Sequence, residues 1–287
     1  MKLCYLALAA MAGLPAWADT VVYSSLPAPL PPNQPSIGYE ADSIGEFGDL
    51  VDLATGPAVL LSATVAMSDW ALESDYDSHV GHTFGGSDIS LAGFTVPLTL
   101  TLYNVNGDGS VGLPIGSSYT VDAFIPWRPP PDPADCGTGS TKWLGPDGNC
   151  YSGSLSTVTF ELPYVSVPGE FIYGLAFNTA DHGYIPTGVD GPYVSLNFAV
   201  TLADPSAGSS PGRQGYASAS SPPMTPVGMG GYIGEIQFDS TPEPAGMALA
   251  GMGLLGLCLG LRRARSPGLP SAGVWSRRCP KLWSRVS

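Results

Sequence analysis

The chain has 287 residues, 37 of them glycine and 29 proline; only 12% are charged, against a hydrophobic share of 44%. Glycine and proline at nearly twice their ~12% average share, with an ordinary apolar fraction, argue against a helical cytosolic protein and against wholesale disorder. The net charge of −13 is unevenly spread: residues 19–240 hold 23 acids and three cations, Arg128, Lys142 and Arg213, a balance that repels phosphate and speaks against a nucleic-acid partner.

Residues 1–18 have the three parts of a secretory signal. Lys2 supplies a positive start, an apolar stretch runs from Leu3 to Leu14, and Pro15 breaks it before Ala16-Trp17-Ala18. Ala16 and Ala18 form a small-x-small cleavage site, so Asp19 is the expected first mature residue.

The segment 19–240 reads as one exported domain. Val59, Leu61, Ala63, Val65 and Met67 alternate as a strand with one buried face requires. Asp75, Asp77, His79 and His82 then cluster, but Gly81 and Gly85-Gly86 read as loop, and His-x-x-His shares a face only on a helix. A polar loop is expected there, with a weak surface metal site as the alternative.

A strand is expected at 89–94. Next, Val96, Leu98, Leu100 and Leu102 face one way, while Thr95, Thr99, Thr101 and Tyr103 face the other. Asn104-Val105-Asn106-Gly107-Asp108-Gly109 starts like an EF-hand-type calcium loop, but Ile115 stands where the bidentate carboxylate belongs. A Gly-Asp-Gly turn between strands is expected instead. Another strand at 118–126 runs into the Pro-rich stretch 126–148.

Of the five cysteines, Cys4 lies in the signal peptide, Cys258 in an apolar tail and Cys279 near the C-terminus. Cys136 and Cys150 fall in the exported domain, where a pair in an oxidising compartment forms a disulfide. Two cysteines with no histidine nearby do not fill a tetrahedral metal site. The bridge closes a loop that holds Lys142, Trp143, Pro146 and Asp147.

Three more alternating segments follow: Val158, Phe160, Leu162; then Phe171, Tyr173, Leu175, Phe177; then Val194, Leu196, Phe198, Val200, Leu202. Asp181-His182 with Ser166 or Ser195 can be drawn as a triad, but no Gly-x-Ser-x-Gly elbow supports it. After the Gly- and Pro-rich stretch 204–231, a last strand is expected at 232–238. Many short antiparallel strands without a capped helical period read as an all-β protein, a β-sandwich that is jelly-roll-like in strand number. Trp127, Trp143, Tyr151, Tyr184 and Tyr193 sit in loops, where rings either stack on sugar faces or pin the loops to the sandwich.

The C-terminal end runs Thr241-Pro242-Glu243-Pro244, then 17 uncharged residues from Ala245 to Leu261, then Arg262-Arg263-Ala264-Arg265. That length meets the lower limit of ~17–25 residues for a membrane-spanning helix, and the basic cluster belongs on the cytoplasmic side. Five glycines in the apolar stretch make it weakly hydrophobic, which suits a segment that is recognised and processed; an ordinary anchor is the alternative. Pro242-Glu243-Pro244, the apolar stretch, and Arg262, Arg263 and Arg265 together resemble the PEP-CTERM sorting signal over 241–265. The resemblance implies an exported protein of exopolysaccharide-making bacteria, processed by an exosortase, a membrane-embedded cysteine protease. This chain departs from the pattern by continuing through a basic extension, 266–287. Leu100–Val105, Trp127-Arg128-Pro129, the Cys136/Cys150 loop and Tyr173–Thr179 also resemble uncharacterised bacterial surface proteins that carry this tail.

The resulting expectation is a non-catalytic surface protein without a cofactor, associated with exopolysaccharide or biofilm matrix. Its expected partners are the secretion machinery, an exosortase-type protease and extracellular polysaccharide, with transient membrane contact through the C-terminal helix. A carbohydrate-binding module that uses the loop aromatics is the alternative. A secreted hydrolase would need two carboxylates facing one cleft, and nothing in the sequence pairs them.

Overall fold

The computed structural model describes residues 19–42, 44–84, 87–177, 195–219 and 223–241. The expected signal peptide with Ala16 and Ala18, the Pro242-Glu243-Pro244 motif, the apolar stretch, Arg262, Arg263, Arg265 and the extension 266–287 all lie outside the described residues. Among the described residues no helix is long and apolar enough to cross a membrane.

In chain order the strands are β1 (Thr20–Ser24), β2 (Ser36–Gly38), β3 (Glu46–Asp52), β4 (Ala58–Asp69), β5 (Thr83–Phe84), β6 (Ser87–Ile89), β7 (Gly93–Val105), β8 (Val111–Pro114) and β9 (Tyr119–Pro126). They continue with β10 (Trp143–Leu144), β11 (Cys150–Tyr151), β12 (Ser154–Val167), β13 (Glu170–Ala176), β14 (Leu196–Thr201), β15 (Tyr216–Ser218), β16 (Thr225–Pro226), β17 (Ile233–Gly234) and β18 (Ile236–Ser240). A single helical turn, α1 (Tyr39–Asp42), leads into β3.

β4 organises the first sheet. β12 runs antiparallel along one edge from Ser154↔Asp69 to Val167↔Ala58. Two strands share its other edge: β18 covers Leu60 to Val65, and β14 covers Met67 to Asp69. β1 adds to β18, and β2 and β17 add to β14. The β4–β12 register slips between Glu161 and Val165. Pro163 lies there with no N–H for the ladder, and Tyr164 takes φ 56, so the strand bulges at this point.

The second sheet centres on β7, paired along one edge with β9 and at its tip with β8, and along the other with β13 and β6. β3 lies beyond β13, and β15 and β16 extend the edge past β3. All these pairings are antiparallel.

The two sheets share one apolar core. Phe94, Val96, Leu98, Leu100 and Leu102 of β7 are all buried, as their alternation requires. Aromatic rings lock the layers together: Phe171 meets Phe238 edge-on at 5.2 Å, and Phe198 meets Phe47 at 6.0 Å and Tyr173 at 6.4 Å. Each such side chain stabilises the fold by roughly 1.5–3 kcal/mol through burial. Tyr39 caps one end of the core, stacked on Phe177 at 4.2 Å with its hydroxyl donating to the Leu175 carbonyl.

Four segments differ from the sequence-based expectation. In β4 the registers with β12 and β18 both slip at Leu61, so Leu60 rather than Val59 and Leu61 joins Ala63, Val65 and Met67 in the core. Residues 90–92 are a turn, not part of a strand; Ser90 closes it through N–H and Oγ–H bonds to the Gly93 carbonyl. Leu202 is 55% exposed because β14 ends at Thr201. The expected strand at 232–238 is broken at Glu235, where the chain passes from pairing with β14 to pairing with β4. The outward face of β7 is also partly covered: Tyr103, Ile172, Tyr216 and Met224 form a second small apolar cluster on the far side of the second sheet.

Candidate functional site

The calcium-like segment is a hairpin turn. Asn106 and Ser110 close it by a backbone bond, and Asp108 Oδ1 accepts from both the N–H and the hydroxyl of Ser110. Those bonds hold the Asp108 carboxyl below its ordinary range and commit one of its oxygens to the turn. Asp75 likewise accepts from the Leu72 N–H within a short 3₁₀ turn, and His82 is exposed in the following loop. The side chain of His79 is outside the described set. Among the described residues no three or more His, Cys, Asp or Glu side chains gather as metal ligands.

Asp181, His182, Tyr184 and Tyr193 lie outside the described residues. Of the serines set against that pair, Ser166 is exposed on β12, and Ser195 precedes β14 with φ 48.

The loop 126–150 is built as a rigid unit. Cys136 and Cys150 are bridged, with Cα atoms 5.7 Å apart. β10 and β11 form a hairpin at the end of the loop that carries Cys150, and Asp132 accepts from the Ala134 and Asp135 N–H groups at its start. Arg128 fastens the unit to the sandwich. Its Nε–H donates to the Trp70 carbonyl at 2.8 Å and its Nη1 to the Thr141 carbonyl at 3.1 Å, while its backbone N–H donates to Asp69. Asp69 is buried, and burial pushes its carboxyl well above the usual range despite N–H donors from Ala71 and Arg128. Arg128→Ala removes the clamp and leaves two carbonyls without their charged donor. It should lower the free energy of unfolding by roughly 2 kcal/mol, read as a shifted urea midpoint.

The loop aromatics divide by role. Trp127 is packed between Tyr76 and Phe94, each at 5.0 Å, and its indole N–H donates to the Ser90 carbonyl. Trp143 is buried, with its N–H on the Gly153 carbonyl. Both pin the loop to the sandwich. Tyr151 donates to Asp147, and that bond, with others from Asn149, holds the Asp147 carboxyl low. An exposed ring beside this unit is Trp70, 42% accessible, which the alternation of β4 did not mark because it follows the strand's last residue. It lies against Gly153, where a Cβ would come within 2.7 Å of its Nε1.

An open groove of about 620 Å³ runs beside this unit, walled by Pro29, Leu30, Pro31 and Pro32 and by Trp143, with Asp147 at its rim. The proline segment is held by bonds from the Leu155 N–H to the Pro32 carbonyl and from the Ser68 hydroxyl to Asn33. The groove is open and mostly apolar, with Asp147 and Ser154 as polar lining, a form suited to the apolar face of a sugar or to another chain's side chains.

Of the other acids, Asp49 is buried and raised to about 6 by burial, although Ser210 and the Leu50 N–H donate to it. Glu235 is raised to about 7 by burial alone. No family model, no curated protein and no solved structure matches the chain.

Proposed function

We infer that this chain is an exported, surface-sorted, non-catalytic protein of an exopolysaccharide-associated layer. The observation that carries the reading is the Cys136–Cys150 bridge, since such bonds persist in oxidising compartments and are rare where thiols are kept reduced. The signal-like residues 1–18 and the resemblance of 241–265 to the PEP-CTERM signal agree with it. The finer architecture is read as a jelly-roll-like sandwich between a cleaved signal peptide and a single sorting helix. An exosortase-type protease is the partner that would act on the tail.

Intact-mass spectrometry of protein recovered separately from medium and membranes tests this. The expected species in the medium starts at Asp19, ends between Pro242 and Ala245, and gains the mass of two hydrogens on reduction. A membrane form that retains Arg262 to Ser287 would point to an ordinary anchor. Recovery from the cytoplasm alone would overturn export.

A second reading, a carbohydrate-binding module, is favoured by the groove beside Trp143 and the exposed Trp70. Trp70→Ala is its fair test, because Trp127 and Trp143 are built into the fold. Saturable glycan binding that is unchanged in Trp70→Ala would remove this residue from the contact.

A further inference from the structure

A second hollow, of about 480 Å³, lies on the outward face of the second sheet. Glu46 at the start of β3 and Tyr103 of β7 line it, with Thr101 and Ser118 as hydroxyl-bearing neighbours and Leu113 and Pro223 among its apolar walls. Its size falls in the range of small-molecule sites, ~300–1,000 Å³.

Glu46 is the unusual element, a carboxylate only 5% exposed. The Tyr103 hydroxyl donates to its Oε1 at 2.8 Å. Gly174 gives that oxygen room, since a Cβ there would stand 2.2 Å away. The second oxygen accepts no hydrogen bond from a described residue, and no cation among the described residues faces the group. Glu46 itself lines the hollow, so its carboxylate borders the open space.

Burial holds the Glu46 carboxyl above its ordinary range. A carboxylate with no cation among the described residues is relieved either by taking up a proton or by pairing with a cation from outside. One carboxylate is too few for a divalent metal, which gathers several oxygen ligands. An ammonium group on a small apolar body fits the charge, the walls and the two hydroxyls. The hydroxyls of Thr101 and Ser118, 2.8 Å apart, present further acceptor lone pairs at the same wall.

We propose that this hollow binds a small alkylammonium ligand, its nitrogen paired with Glu46 and its apolar part against Leu113 and Pro223. The assignment does not depend on where the protein resides. The test titrates the full chain with n-butylammonium chloride at low ionic strength, followed by calorimetry or NMR, with 1-butanol as the neutral isostere. The amine should bind saturably and at least about tenfold tighter than the alcohol. Glu46→Gln should lose roughly that factor. Ser118→Trp, which fills the mouth from an exposed position, should lose it too while its thermal unfolding stays unchanged. Equal binding of amine and alcohol, no saturable amine binding, or retained binding in both variants overturns the proposal. If Glu46→Gln does not fold, Ser118→Trp decides alone.

Discussion

Phe198→Ala should destabilise the domain by roughly 3–5 kcal/mol, the range for emptying a buried aromatic site. Phe198 is fully buried where the sheets meet, in contact with Phe47 of β3 and Tyr173 of β13, so its loss strips both layers at once. The site cannot collapse easily, because backbone closes it from one side. Gly234 lies against the ring so tightly that a Cβ there would sit 2.4 Å from the Phe198 ring and 2.3 Å from the Tyr173 hydroxyl. For a domain of this size the melting temperature should fall by roughly 10 °C. Gly234→Ala should destabilise on its own by overpacking. In the Phe198→Ala background it should cost less, a coupling of about 1 kcal/mol in a double-mutant cycle. A Phe198→Ala loss below about 1 kcal/mol would mean that the sheets do not share this core.

The second large effect depends on pH. Glu235 is fully buried, with both carboxylate oxygens sealed and unpartnered. Alternation places it opposite the inward-facing Ile236, between Ala66 and Ala199, whose backbones bond its own. The segment 25–35 brackets it: the Ser25 hydroxyl donates to the Gly234 and Ile236 carbonyls at one end, and the Val200 N–H donates to the Pro35 carbonyl at the other. With no donor or cation to offset burial, its carboxyl rises from an ordinary 4.5 to about 7.

The folded state therefore holds a proton that the unfolded chain gives up. That preference is fully present below about 4.5 and is lost as pH climbs through about 7. At about 1.4 kcal/mol per unit, the domain should lose roughly 3 kcal/mol between those limits from this residue alone. Asp49, raised to about 6, adds a slope of the same sign at lower pH. Glu235→Gln keeps the shape and removes the charge. Denaturant unfolding should find it close to the parent at pH 5 and roughly 3 kcal/mol more stable at pH 8. A variant no more stable than the parent at pH 8 would show that water reaches the carboxylate.

Much of this architecture could be read from residue order. Val96 to Leu102 and Val158 to Leu162 alternate, and both point inward as the period of two requires. The Gly-Asp-Gly turn follows from the failed ligand position at Ile115, and the bridge from the two cysteines left in the domain. What escaped are features made by tertiary packing. Tyr103 reads as an outward residue, yet Tyr216 and Met224 from a distant Gly-rich stretch cover it. Proline segment 26–35 carries no strand pattern, but it lies along the first sheet and walls the groove. Glu46, Asp49 and Glu235 are three among 23 acids in the domain. Only the fold sets them apart, because no local pattern encodes the burial that shifts them. Trp127 and Trp143 invited a sugar-binding reading because they are aromatic and in loops; their indole N–H bonds and ring contacts give them to the scaffold.

The strands that share β4 set the order in which the molecule can be completed. Thr64 meets Thr159 across 95 residues of intervening sequence, and Ser62 meets Asp239 across 177. One edge of β4 can be covered once β12 is made, but the Leu60–Val65 stretch of its other edge must wait for the last strand. Loop closure on this scale slows folding, because the entropy of joining distant segments comes before most of the contacts that reward it. During synthesis the first sheet is consequently completed only after residues 236–240 have been made. That delay is hazardous if the bare edge of β4 meets that of a neighbouring molecule first.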